Sequence, residues 1–344
     1  MIDLYSDTVT QPTEAMRLVI AKAVVGDEQR GEDPTTVQLE SRVCQLLKKD
    51  RALFLPSATM ANAIAIQLHC GPGDELLAAE NSHVLAYESG GAAVHARATV
   101  RGIPAWTGIF GRNAVTDRLR MEMPHSPKVR LVVLENTTNQ GGGRPWPLDK
   151  LDDVTITCKK HELALHLDGS RLFNASIASG ESLERLARDF DTVTLCFSKG
   201  LGCPMGAVLL LPEASYTRAR KLKQMMGGAM RQSGMMAAAA LYALDNHVER
   251  LASDHGVAQM LFEQLSQIKP LVVEQIPVRT NMVFFELPDR YSAEQFEDLL
   301  SQQGVRVSRV QRQRFRAVTH LNVSESQVEQ VAQAVRKACQ SLLH

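Results

Sequence analysis

Short apolar runs separated by helix-length segments constrain this chain more than any other feature. Ala52 to Leu55, Glu75 to Ala79, Val94 to Val100, Val129 to Glu135, Leu163 to Asp168, Thr192 to Phe197 and Ala207 to Leu211 all have strand length. Their alternation with longer segments reads as βαβ units and a mainly parallel sheet. The expected fold class is therefore α/β, with a large domain on a mainly parallel seven-stranded sheet. In open sheets of this kind ligands collect outside the carboxyl ends of the strands. Glu135, Asp168 and Lys199 all fall at such ends.

The character changes after an alanine- and methionine-rich helical stretch, Met235 to Leu251. Leu271 to Gln275, Asn281 to Leu287, Val305 to Val310 and Arg314 to Thr319 read as strands interleaved with helices, which suggests a smaller α+β domain. Ser324 and Gln327 have capping-box spacing ahead of a last helix with Val328, Val331, Ala332, Val335 and Cys339 on one face. The expected division is an N-terminal segment 1–45, a large domain 46–250 and a small domain 251–344. Residues 1–45 are polar and irregular in places, and read either as a mobile arm or as a lining of the site.

With 38 Lys and Arg against 38 Asp and Glu, the formal charge is zero. Nothing global favours nucleic acid or an anionic membrane surface. The longest apolar stretch is far short of a bilayer span, and no secretory signal opens the chain, so a cytoplasmic protein is expected. Six scattered cysteines without CxxC pairs point to free thiols rather than disulfides or zinc. No histidine pair has helix-face ligand spacing, so no metal site is expected.

Lys199 follows the run Val193 to Phe197 in Ser198-Lys199-Gly200-Leu201-Gly202, and Asp168 ends another strand in Asp168-Gly169-Ser170-Arg171. Pyridoxal phosphate chemistry needs such a pair: an amine for the Schiff base, and a carboxylate to keep the pyridinium nitrogen protonated. Either motif alone also fits a solvated loop or an ordinary Asp-Gly turn. Ser57, Ala58 and Thr59 open a helix after a strand, which suits a phosphate, although a plain N-cap explains the hydroxyls equally well. His83 follows a strand end, where an imidazole can stack on a flat cofactor or move a proton.

Together these motifs resemble the threonine aldolase family. The matching stretches are Asp3 to Thr10, Gly31-Glu32-Asp33-Pro34-Thr35, Leu134-Glu135-Asn136-Thr137, His166 to Asn174, Ser198 to Gly202, Met230-Arg231-Gln232-Ser233-Gly234 and Arg316 to Leu321. They occur in the family's order over essentially the whole chain. The resemblance implies a pyridoxal phosphate-dependent transferase-like fold (fold type I) and a lyase that cleaves a β-hydroxy-α-amino acid to glycine and an aldehyde. It implies Lys199 as the Schiff-base lysine and Asp168 as the partner of the pyridinium nitrogen. Ser57, Ala58, Thr59 and Ser198 would hold the phosphate, with Arg231 supplied by a partner subunit. Arg171 and Arg316, with Ser6, would grip the substrate carboxylate. His83 would stack on the ring, and His83 or His125 would take the proton of the β-hydroxyl. A small amino-acid substrate and a homodimer or homotetramer with shared sites follow.

The chain departs from the family pattern at Gln29-Arg30, Ala58, Thr138 and Gln224. If Arg312 to Arg316 is extended, Arg312, Arg314 and Arg316 share a face. With Arg30 they would select a substrate with an extra anionic group; the plainer alternative is a basic edge strand. Two other functions stay open: a β-eliminating lyase on the same scaffold, and a weakly catalytic cofactor-binding protein.

Overall fold

Apolar strands buried on both faces demand helices on both sides, and that is the arrangement found. The computed structural model describes residues 1–121 and 123–342. In chain order the strands are β1 (Ile2–Asp3), β2 (Arg51–Leu55), β3 (Glu75–Ala79), β4 (Thr99–Ile103), β5 (Val129–Glu135), β6 (Ala164–Gly169), β7 (Thr192–Cys196), β8 (Ala207–Leu211), β9 (Val272–Val273), β10 (Met282–Glu286), β11 (Val305–Arg306), β12 (Ser308–Arg309) and β13 (Arg314–Val318).

Seven of them form one sheet in the order β2-β8-β7-β6-β5-β3-β4. Only β8 runs against its neighbours β2 and β7. The remaining pairings are parallel. The strands β3, β7 and β8 are buried at every residue, as expected for continuous apolar runs covered on both faces. A second sheet, β12-β13-β10-β9, is antiparallel. Its core includes the mutually packed rings of Phe285, Phe296 and Phe315. The first strand β1 pairs with β11, which ties the N-terminus to this second unit.

Four expected elements are corrected. Of the expected strand Val94 to Val100, the first residues belong to a helical turn, Ala92–Ala96, ended by Arg97 in the left-handed region, and the strand begins at Thr99. Ala92 and Ala96 pack with Ile66 and Cys70 on the neighbouring helix, a use to which alanine-rich sequence is well suited. Val305 to Val310 is two short strands in different sheets, broken at Val307. The helix from Gly234 stops at Asn246, where His247 Nδ1 is tied to the Leu201 carbonyl at 2.8 Å. In the segment Leu271 to Gln275, only Val272–Val273 forms strand. The capping box before Glu325–Ser341 is present, with the Ser324 N–H donating to Gln327 Oε1 at 2.9 Å.

Candidate active site

Strand register assembles the site. Glu135 stands beside Asp168, and Asp168 beside Thr194, at the carboxyl ends of β5, β6 and β7. Lys199 follows β7 in a turn closed by the Gly202 N–H on its carbonyl at 2.8 Å. Gly202 has φ of 76°, which explains a glycine there. Asp168 is 1% exposed. Burial alone would raise its pKa, but the charges of Lys199 and His83 and the Ser170 N–H outweigh that and hold it low. The aspartate is therefore an anion in the interior, next to the lysine. For Glu135, burial and the charge of Asp168 outweigh His83, Arg171 and the Asn139 N–H, and its carboxyl is pushed up to about 7.

His83 opens a short helix and its Nδ1 is 2.8 Å from Glu88 Oε1. Burial opposes its protonation, but Glu88 and Asp168 prevail and its pKa is raised. Asn62 donates to Glu88 at 2.8 Å and to Asp168 at 2.9 Å. Ligand-capable atoms of His83, Glu88 and Asp168 lie within 4.8 Å of one another. Those atoms are engaged in hydrogen bonds with one another and with Asn62.

Two arginines meet at the other end of the site. Arg171 makes a two-pronged bond to Asp7, with Nε and Nη2 both at 2.7 Å. Asp7 is fully buried, and burial would raise its pKa, yet Arg171, Lys199 and Asn281 hold it far below the usual carboxylate range. Arg316 has no carboxylate partner among the described residues; it donates to Asn139 Oδ1 at 2.7 Å and weakly to the Tyr5 carbonyl. Its buried Nε has no partner there. Burial and the charge of Arg171 push its pKa down to about 10. Asn139 Oδ1 also lies 3.4 Å from Arg171 Nη1, so one oxygen touches both guanidinium groups. Ser6 is buried beside Asp7, 3.4 Å from its carboxylate.

Ser57 caps the helix Ala58–His69, with Oγ accepting from the Met60 N–H. A cavity of about 250 Å³ at this helix start is lined by Ser57, Thr59, Met60, Glu88, Gly91 and His95, among others. Ser198 is half-buried, its Oγ 3.4 Å from Cys196 Sγ. Lys223 does not reach this cavity as a free cation: its Nζ is bound by Glu28 and the Phe54 carbonyl. The Asp33 of Gly31-Glu32-Asp33-Pro34 accepts from the Gly26, Thr36 and Gly234 N–H groups, which joins two of the sequence motifs.

A single chain does not bring every expected residue together. Arg231 is exposed and paired with Asp27 at 3.2 Å. His125 lies on an exposed turn before β5, at the amino end of a strand whose carboxyl end carries the site. Of the expected arginine face, Arg314 and Arg316 stand two apart on β13 and donate to neighbouring residues, Gln140 and Asn139, but the others are not with them. Arg312 lies in a bend outside β13, Arg314 is ion-paired with Glu274 and packed on Trp106 and Phe284, and Arg30 sits by Asp27. Nor is β13 an edge strand, since it lies between β12 and β10. Asn62, Glu88, Asp7 and Asn139 were missed as site residues. Asn62 carried a signal, because it is a lone amide in the otherwise apolar Ala61 to Ile66 and needs partners if buried.

Residues 3–288 match the family model described as beta-eliminating lyase. The chain is 39% identical over 343 residues to a probable low-specificity L-threonine aldolase of Arabidopsis thaliana, covering 98% of this chain and 96% of that one. It is 38% identical over 334 residues to the low specificity L-threonine aldolase of Escherichia coli O157:H7, covering 96% and 97%. A solved threonine aldolase of Leishmania major superposes with a TM-score of 0.84 at 20% identity, covering 98% of this chain and 99% of that one, which supports the fold. Likeness over nearly the full length shows that this chain belongs to the threonine aldolase family of pyridoxal phosphate-dependent lyases.

Proposed function

We propose that the protein cleaves the Cα–Cβ bond of a β-hydroxy-α-amino acid, threonine or allo-threonine in kind, to glycine and an aldehyde. The observation that carries this reading is a buried, ionised Asp168 beside Lys199, with an arginine lacking an acidic partner, Arg316, in the same site. The residues fit pyridoxal phosphate. Lys199 Nζ would hold it, Asp168 would face its ring nitrogen, and the helix start at Ser57, Ala58 and Thr59 would take its phosphate with Ser198. Bound there, the cofactor supplies an electron sink for the bond broken at Cα.

The chain's own groups decide which bond breaks. Arg171 is neutralised by Asp7, so Arg316 supplies the net positive charge for the substrate carboxylate, and the planar fork of the guanidinium fixes its orientation. Anchoring the carboxylate turns the Cα–Cβ bond into line for cleavage, an orientation effect. Glu88 engages His83 Nδ1 and leaves Nε2 to take the proton of the β-hydroxyl. Arg231 and His125 are exposed in one chain, which supports a site completed by a second copy. We place the division of the chain at 1–45, 46–250 and 251–344. All six cysteines are free thiols, which supports a cytoplasmic setting. No helix among the described residues is long and apolar enough to cross a membrane.

Incubation of cofactor-loaded protein with L-threonine and L-allo-threonine tests the reaction. Glycine and acetaldehyde in equal amounts, absent in Lys199→Ala, are expected. A keto acid and ammonia in their place would assign the protein to β-elimination instead.

A further inference from the structure

We infer that Asn62 is a positioning residue whose single amide holds the Asp168 carboxylate and, through Glu88, the His83 ring in their working places. The inference rests on the roles proposed above for Asp168 and His83. Asn62 is wholly buried on the helix Ala58–His69. Its Nδ2 lies 2.9 Å from Asp168 Oδ2 and 2.8 Å from Glu88 Oε1. Its Oδ1 lies 2.8 Å from Thr194 Oγ1 and 3.0 Å from His166 Nε2. Two donors and two acceptor positions are all an amide has, so every one is used.

The partners fix the direction of each bond. Two carboxylates can only accept from Nδ2, so Oδ1 faces Thr194 and His166 as an acceptor. His166 must therefore carry its proton on Nε2. Burial pushes its pKa down to about 4, so the ring is neutral and Nδ1 accepts. The donor to Nδ1 is the Thr192 hydroxyl at 2.9 Å, which in turn accepts from His69 Nε2 at 3.1 Å. The result is a one-way chain of donors from His69 to the two acids, in which no member can rotate without leaving a buried group unpaired.

Asp168 and Glu88 would repel each other across this gap without the amide. The other charged or titratable groups facing Asp168 are Lys199, His83, His166 and Glu135. None of them bonds both acids at once; of the described groups, Asn62 does. Its helix also begins at Ser57, so the element proposed to take the cofactor's phosphate is linked rigidly to the acid under its ring nitrogen.

Asn62→Leu keeps the branching at Cγ, with bulkier methyl groups, and removes both donors and the acceptor. Pyridoxal phosphate affinity, read by absorbance titration, should weaken about 10- to 100-fold, the range for losing a bond to a charged group. The pH midpoint of the visible band of the lysine-bound cofactor should move by about one unit or more. Unchanged affinity and an unchanged midpoint, with only a lower melting temperature, would reduce Asn62 to a structural residue and overturn the inference. If Asn62→Leu does not fold, Thr194→Val carries the test, since it removes one donor to Oδ1 and should shift the midpoint the same way by less. No shift in Thr194→Val would then overturn it. Wild-type protein that binds the cofactor but releases no glycine would sink the proposed reaction while leaving this spectral result standing.

Discussion

Asp7 and Arg316 show how much a single charge decides in this site. Asp7 pairs with Arg171, and that leaves Arg316, held only by neutral oxygens, as the proposed receptor for the substrate carboxylate. Arg316→Ala is expected to raise KM for the amino acid about 10- to 100-fold, as for loss of charge-assisted bonds, in steady-state assays. An unchanged KM would move the carboxylate elsewhere. Asp7→Asn strands a buried guanidinium and should cost about 3–5 kcal/mol in urea unfolding at neutral pH. The sign with pH follows from the depressed Asp7 pKa: its stabilisation is complete above the ordinary value of 3.8 and is lost as pH falls toward the folded-state value. The deficit of the variant should therefore shrink in acid, and a deficit independent of pH would contradict the pairing. Lys199, Asp168, Arg171 and Arg316, the residues of the proposed site, stand out in the sequence because each lies in a motif at or near a strand. Asp7 and Glu88 do not, because their importance lies in partners that the sequence does not place beside them, up to 274 residues away for Asp7, and Asn62 shows only as a lone amide in an apolar run.

Helices and strands reach the site through their ends, and one buried carboxylate holds several ends at once. Asp33 caps Pro34–Leu47 through Thr36 N–H and also accepts from Gly26 and Gly234. A Cβ on Gly234 would meet that carboxylate at 2.4 Å, which accounts for the glycine. Asp33→Ala removes a cap and leaves two further N–H groups without their acceptor, so a loss of about 2–4 kcal/mol is expected from urea midpoints. A loss under about 0.5 kcal/mol, the low end for a cap alone, would mean that water replaces all three bonds. Element bounds were legible where an apolar run is both strand-length and β-branched, as in Val129–Glu135. They were misread at Val94 to Val100, whose first residues belong to the helical turn Ala92–Ala96 packed on Ile66, and periodicity alone cannot separate the two.

The whole molecule brings an acid from β6, a lysine after β7, an arginine from β13 and an aspartate from the N-terminal segment into one place. Asp7 of the N-terminal segment pairs with Arg171, which favours the reading of that segment as a lining of the proposed site over a mobile arm. Arg231 and His125 remain apart from that place in one chain, and a two-fold assembly would supply them in trans. Mixing Lys199→Ala with Arg231→Ala subunits should then recover about a quarter of wild-type activity, because random pairing makes half the dimers hybrids with one intact site each. Activity no greater than that of either parent would place Arg231 outside the partner's site. This level was the least legible, since a sequence shows which residues are spare but not which copy uses them. The central claim, that the Lys199 and Asp168 pair activates an amino acid at Cα, is tested most directly by proton NMR of glycine in deuterated water with cofactor-loaded protein. Exchange of the Cα proton that disappears in Lys199→Ala is the predicted result; bound cofactor with no exchange in the wild type would contradict it.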